Sequence, residues 1–127
     1  MDAIGDLPRA ELLMDFVAKH DSTYYYGGAH VFLGTLYGSR PRMLGGSPEK
    51  SKAHFESALR INGGKFLMTY VYYARSYAVQ NQDEALFAEL LAKVNGTSID
   101  VLPEFRLGNA IAKQKATLLL SRQSELF

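Results

Sequence analysis

A small residue followed three positions later by tyrosine occurs twice in this chain. The first copy is Leu33-Gly34-Thr35-Leu36-Tyr37 and the second is Tyr73-Ala74-Arg75-Ser76-Tyr77. Glycine or alanine on a helix allows a second helix to approach closely, and the aromatic ring that follows fills the space beside the crossing. The pattern therefore predicts pairs of closely packed antiparallel helices, with Gly34 and Ala74 at the crossings.

The first copy resembles a tetratricopeptide repeat, which reads W-x2-L-G-x2-Y in its first helix and A-x3-F in its second. His30 stands where the repeat has tryptophan, and Ser51 and Phe55 occupy the second part. Such repeats are scaffolds that present a concave surface. The resemblance therefore predicts a binding protein before it predicts any chemistry.

The two copies differ in the length between their helices. Leu90 follows Ala74 by 16 residues, which is the spacing of an ideal repeat, whereas Phe55 follows Gly34 by 21 residues. The surplus falls within residues 39–46. An insertion in a scaffold often shapes a binding site, but it is also explained by a longer turn, and the sequence leaves both interpretations open.

Apolar residues recur at helical spacing along the whole chain, which predicts an all-α fold of TPR-like antiparallel hairpins in one domain, residues 1–127. Only Ser98 to Leu102 shows a doubtful alternation of strand type. Six helices are predicted from caps, prolines and glycines: one opening near Pro8, one capped by Asp21 or Ser22 and ended by Gly38, one from Ser47-Pro48 to Asn62, one over 65–79, one ending at Asn95-Gly96, and one from Pro103.

Composition excludes several classes of function. The chain has 127 residues, no cysteine and a net charge of +1. Disulfides, thiol catalysis and cysteine metal sites are therefore absent, and nothing in the charge favours a nucleic-acid partner. The three histidines have no metal-site spacing, and packing or capping explains His30 and His54. We expect a non-enzymatic protein without cofactor or metal.

A longer block carries a more specific resemblance. The block is Leu44-Gly45-Gly46-Ser47-Pro48-Glu49-Lys50, continuing through Ser51-Lys52-Ala53-His54-Phe55-Glu56-Ser57-Ala58-Leu59, with further matches at Gly63 to Leu67, Tyr73 to Ala78 and Asn109 to Ala112. These residues are similar to the TRAP transporter T-component family. The resemblance covers roughly residues 23–127.

The resemblance implies a TPR-like scaffold that partners a tripartite ATP-independent periplasmic transport system. It implies that the chain docks a periplasmic substrate-binding protein and contacts a small organic acid or hydrophobic ligand. It also implies a periplasmic location, where family members are often lipoproteins anchored through an N-terminal cysteine. This chain shows no signal peptide. A cytoplasmic TPR-type adaptor that binds a peptide segment is the alternative.

Four residues are predicted to contact a ligand or partner. Tyrosine combines an apolar ring with a polar tip, and a guanidinium can hold a carboxylate through two parallel hydrogen bonds. On this chemistry we predict Tyr37 and Arg40 at the inserted loop, and Tyr73 and Arg75 on the next hairpin. The other interpretation of Tyr37 and Tyr73, and the one that the repeat pattern favours, is that they are aromatic wedges between helices.

The open ends of a short helical stack predict a further interaction. Two hairpins without polar caps expose apolar surface that must be covered. The last helix, with Leu118, Leu119, Leu120, Leu126 and Phe127, is expected either to cover the stack or to pair with a second copy in a homo-oligomer.

Overall fold

The computed structural model describes residues 3–21 and 24–127, with the side chains of 9–21 and 26–127. Over these residues the chain is helical and has no strand, which confirms the all-α prediction. The seven α-helices are α1 (Ala3–His20), α2 (Gly28–Ser39), α3 (Pro48–Asn62), α4 (Met68–Tyr73), α5 (Glu84–Gly96), α6 (Arg106–Ser121) and α7 (Gln123–Leu126). A π-helical turn spans Ala74–Ala78, and 3-10 turns span Tyr24–Gly27, Arg42–Leu44, Ile99–Val101 and Pro103–Phe105.

Helix α3 has the bounds that its local sequence predicts. The Ser47 hydroxyl accepts the backbone N–H of Lys50 at 3.2 Å, and Pro48 occupies the first helical position. Gly63 ends the helix with a left-handed backbone at φ 63°, a conformation that glycine adopts without steric cost. The strong capping signals of this segment therefore agree with the structure at both ends.

The predicted start of α1 near Pro8 and the predicted cap of α2 are wrong. Helix α1 already begins at Ala3. A 3-10 turn, Tyr24–Gly27, precedes α2, so Asp21 lies too far upstream to cap it, and Ser22 lies outside the described residues. Gly27 occupies the N-cap position with φ 81°.

The sequence predicts that Gly38 ends α2, but in the structure Gly38 lies inside this helix. Helix α2 continues to Ser39 because residue 38 faces the backbone of the π turn, where a β-carbon would overlap the carbonyl oxygen of Ser76. Glycine is needed here for close approach between elements rather than for a turn.

The fourth and sixth predicted helices are interrupted. The segment 65–79 forms α4 and then the π turn, in which the amide of Val79 bonds the carbonyl of Ala74 at 3.0 Å. Pro103 begins a 3-10 turn, and α6 starts only at Arg106. The doubtful alternation from Ser98 to Leu102 contains the 3-10 turn Ile99–Val101.

The helices pack in chain order as a layered stack. Helix α3 packs against α2, the pair α4 and α5 packs beside them, and α6 packs against α4 and α5. Helix α1 covers α2 at the other end. This order is compatible with TPR-like hairpins. Buried aromatic and aliphatic side chains from α3 to α6 form the core, among them Phe55, Tyr73, Phe87, Leu91 and Val94.

A buried asparagine fixes α6 to the segment before α4. The Asn109 side chain is fully buried, its carbonyl accepts the N–H of Leu67 at 3.0 Å, and its amide donates to the Lys65 carbonyl at 3.1 Å. These bonds satisfy polar groups that would be costly to bury unpaired. They also hold the 65–67 segment in place, and this segment forms part of the surface described next.

The C-terminal residues cover one end of the stack. Leu119, Leu120, Leu126 and Phe127 pack against the core, and the Phe127 ring lies 5.0 Å from that of Phe87 in an edge-to-face arrangement. Leu118 remains exposed. The structure thus supports a covering role for this segment, and self-association stays a prediction.

Candidate functional site

An open groove runs along one face of α2. Its volume is about 510 Å3, within the range of small-molecule sites. Helix α2 contributes most of its wall, and the opposite side comes from Phe66, which precedes α4, and Tyr72, near the end of α4. The groove is lined by Gly28, Val31, Phe32, Thr35, Leu36, Ser39, Phe66 and Tyr72.

Helical spacing separates the groove from the packed side of α2. Phe32, Leu36 and Ser39 recur at intervals of four and three residues and share the groove face. His30, Gly34 and Tyr37 recur at similar intervals on another face, which packs against α3. The groove therefore exists because α2 carries apolar side chains on two faces, and only one of them is covered by the hairpin.

The groove wall is almost wholly apolar, and Arg75 lies next to one of the lining residues, Tyr72. This position beside Tyr72 is called the edge of the groove. Thr35 and Ser39 supply hydroxyls, and the tip of Tyr72 is also polar. The Arg75 guanidinium carbon lies 5.4 Å from the centre of the Tyr72 ring, in a cation–π arrangement, and Arg75 is exposed. This combination suits a ligand with an apolar body and a negatively charged end.

Aromatic packing fixes Phe66, which closes part of the groove. The Phe66 ring lies 5.0 Å from that of Phe105 and 5.8 Å from that of Tyr26. The Tyr26 hydroxyl donates to the Glu104 carboxylate at 3.0 Å. Tyr26 also has a left-handed backbone at φ 58°, which is uncommon outside glycine. The turn before α2 is thereby linked to the turn before α6.

Two of the predicted site residues, Tyr37 and Arg40, lie together at the corner between α1 and α2. The Arg40 guanidinium donates to the Glu11 carboxylate at 3.1 Å, and both side chains are about three-quarters buried. Burial, and next the negative charge of Glu11, raise the pKa of Tyr37 above its ordinary value. Arg40 is therefore engaged within the protein, at a polar depression that Tyr37, Glu11 and Lys50 help to line.

Tyr73 is a core residue. Its side chain is 1% exposed, its ring stacks on Phe55 at 4.9 Å with an interplanar angle of 7°, and its hydroxyl donates to Glu56 at 2.8 Å. Burial, with the Glu56 hydrogen bond second, raises the pKa of Tyr73 well above its usual range. This is the wedge role that the repeat pattern predicts for an aromatic residue.

The structure therefore does not bring the four predicted residues into one place. Tyr37 and Arg40 lie at the α1 corner, Tyr73 lies in the core, and Arg75 lies at the groove edge. Contact of any of them with a ligand stays a prediction. None of the four predicted residues lines the groove, although the second apolar stripe of α2, which includes Val31 and Leu36, was a usable signal.

The inserted segment between α2 and α3 is a tightly bonded turn. The backbone N–H groups of Leu44 and Gly46 both donate to the carbonyl of Pro41, at 2.9 Å each. The backbone N–H of Ser47 donates to the backbone carbonyl of Tyr37 at 3.0 Å. Arg42 donates to both carboxylate oxygens of Glu49, which lowers the pKa of Glu49 to about 2. The turn exposes Met43 and Leu44 to solvent.

Two histidines meet where α2 packs on α3. The Nδ1 atoms of His30 and His54 lie 2.9 Å apart, and the His54 ring stacks on Tyr37 with an interplanar angle of 8°. Among the residues the structure describes, no group of three or more potential ligands is arranged to hold a metal ion. The pair is a contact between the two helices of this hairpin.

The described residues thus form an all-α stack of packed helices with an open apolar groove along α2. The sequence model of the TRAP transporter T-component family matches residues 1–127, the full length of the chain. The chain belongs to the TRAP transporter T-component family, and is accordingly a component associated with TRAP transport systems. This confirms the family predicted from the block that begins at Leu44.

No curated protein matches the chain closely enough to add a more specific relative. In the described part of the chain, none of the helices is both long enough and apolar enough to cross a membrane.

Proposed function

We propose that the chain is a non-enzymatic scaffold of a periplasmic TRAP-type uptake system, and that it docks the system's substrate-binding protein. In this proposal the α2 groove receives a small organic acid carried by that binding protein. Membership of the T-component family supports the transport context. The groove is the observation that carries the binding role, because an apolar concave space of about 510 Å3 has the volume and lining of small-molecule sites.

The chemistry of the groove supports an acid with an apolar body. Phe32, Leu36 and Phe66 offer apolar contact, and water released from them favours binding. Arg75 at the edge supplies a cation that can hold a carboxylate through charge-assisted hydrogen bonds. Stacking on Tyr72 orients the guanidinium before a ligand arrives, which lowers the entropy cost of binding.

Calorimetric titration with octanoate and with 1-octanol tests the ligand class. The two probes share an apolar chain, and only octanoate carries a carboxylate. Wild-type protein should bind octanoate more tightly, and Arg75→Ala should remove most of that preference, a loss of about tenfold or more. Arg122→Ala, which removes an exposed arginine paired with Glu125, is the matched control and should change nothing.

Outcomes against the proposal are equally specific. Equal binding of both probes would exclude recognition of the carboxylate by Arg75. Failure of a substrate-binding protein encoded beside this gene to bind the chain, together with binding of extended peptides, would favour the cytoplasmic adaptor instead.

A further inference from the structure

The contact between His30 and His54 is a head-on hydrogen bond. Their Nδ1 atoms are 2.9 Å apart and their ring centroids 5.1 Å apart. The centroid distance is close to the sum of the Nδ1–Nδ1 distance and the two distances from each centroid to its own Nδ1. The two Nδ1 atoms therefore point at each other. Such a contact requires a proton on one Nδ1 and a lone pair on the other.

This geometry limits how many protons the pair can hold. The contact survives in the neutral pair, and it survives when one ring is an imidazolium that donates to the other. When both rings are imidazolium ions, both Nδ1 atoms carry protons, and two donors then face each other at hydrogen-bond distance. The doubly charged pair must therefore separate.

The surroundings oppose the charged state. The charged and titratable side chains around the pair are Asp15 on α1, Tyr37 on α2, and Lys50 and Arg60 on α3. Burial, and then Arg60, lower the pKa of His30 below 6.5. The pKa of His54 is lowered by burial and then by the charges of His30 and Lys50, whereas the charge of Asp15 partly raises it. Asp15 is itself paired with Lys19 at 2.9 Å.

Separation of the rings would disturb the corner between α1, α2 and α3. Tyr37 stacks on His54, and its partner Glu11 on α1 also holds Arg40. Movement of the His54 ring therefore removes support from the Tyr37 ring and from the contacts that join α1 to α2. The groove lies on another face of α2 and contains neither histidine.

We propose that His30 and His54 form an acid-sensitive contact, called the catch below. The corner between α1, α2 and α3 stays packed while only one of the two Nδ1 atoms carries a proton, and it opens when both Nδ1 atoms are protonated. The catch is independent of the proposed ligand, because its residues lie outside the groove. It makes the attachment of α1 dependent on pH, whereas the packing of α5 and α6 contains neither histidine.

Nitrogen-15 NMR of the imidazole rings, with backbone hydrogen exchange, tests the catch. At neutral pH, one Nδ1 should be protonated and the other unprotonated. As the pH falls and the pair takes up its second charge, amides of α1 and α2 should lose protection, after correction for intrinsic exchange rates, while those of α5 and α6 keep theirs. For each proton that is taken up on unfolding, the equilibrium constant of unfolding should rise by up to about tenfold for every unit by which the pH falls.

Asparagine substitutions supply the controls, because the Asn amide lies near the position of Nδ1 without titrating in this range. His30→Asn and His54→Asn should each abolish the acid-dependent loss of protection. His20→Asn, which removes the exposed histidine on α1, should retain it.

Three results would overturn the proposal. They are two Nδ1 atoms in the same protonation state at neutral pH, unchanged protection of α1 and α2 after both rings are charged, and an acid response abolished by His20→Asn. The first two use the wild-type protein, so they hold even if a variant fails to fold.

Discussion

Gly34 faces the ring of Phe55 across the contact between α2 and α3, and a β-carbon at residue 34 would lie 2.9 Å from two ring atoms. The Phe55 ring cannot move aside easily, because it is fully buried and stacked on Tyr73. The Ser51 hydroxyl also bonds the Gly34 carbonyl at 2.7 Å. The separation of the two helices is thus set by the absence of a side chain at residue 34.

Replacing Gly34 by alanine should therefore destabilise the protein by about 1–3 kcal/mol through overpacking. Gly96→Ala is the matched control, since a β-carbon there meets nothing within 4 Å. That variant should be unchanged or up to about 1 kcal/mol more stable, because alanine is the better helix former. Urea unfolding of the three proteins gives the comparison. Equal free energies of unfolding for both variants would contradict the close crossing.

Tyr73→Phe should lower stability without changing ligand binding. The variant removes the hydroxyl that donates to Glu56 and leaves the stacked ring in place. A hydrogen bond to a charged group contributes about 1.5–3 kcal/mol. Thermal unfolding measures the first effect, and octanoate titration measures the second. Loss of octanoate affinity in a variant that remains folded would return Tyr73 to the binding site.

Arg40 and Glu11 should be energetically coupled. Their side chains are 23% and 27% exposed, and a double-mutant cycle with alanine should give a coupling of about 0.5–1 kcal/mol. The Arg42–Glu49 pair, 66% and 70% exposed, is the control and should show weaker coupling. A cycle in which Arg40 and Glu11 act additively would show that Arg40 is free to contact a ligand, as the sequence had suggested.

Local chemistry explains which parts of the fold were predictable. Ser47, Pro48 and Gly63 are cap signals that act within a few residues, and the bounds of α3 follow from them. The Gly34–Phe55 crossing followed from the residue types of the repeat pattern, although the spacing is five residues longer than in an ideal repeat. The position of Gly38 depends on Ser76, which is distant in sequence, so a helix-internal glycine was mistaken for a helix end.

The candidate site was less predictable because it, too, depends on contacts between residues that are distant in sequence. Phe32 and Leu36 are ordinary apolar residues, and they form a groove only because Phe66 and Tyr72 are brought beside them by packing. The His30–His54 contact joins residues 24 positions apart across an inserted turn. Arg40 and Arg75 were predicted from the same chemistry, but Arg40 is paired with Glu11, whereas Arg75 lies beside the Tyr72 ring.

The most direct test of the proposed function is whether a charge in the groove weakens docking of the ligand-loaded substrate-binding protein. Leu36→Glu places a carboxylate in the apolar wall, and Leu118→Glu makes the same change at an exposed position on α6. Isothermal titration calorimetry should show at least about a tenfold loss of affinity for Leu36→Glu. Leu118→Glu should bind as wild type does. Equal affinity in all three proteins, with the helical fold intact, would contradict the account, because the α2 groove would then not receive the acid carried by the docked protein.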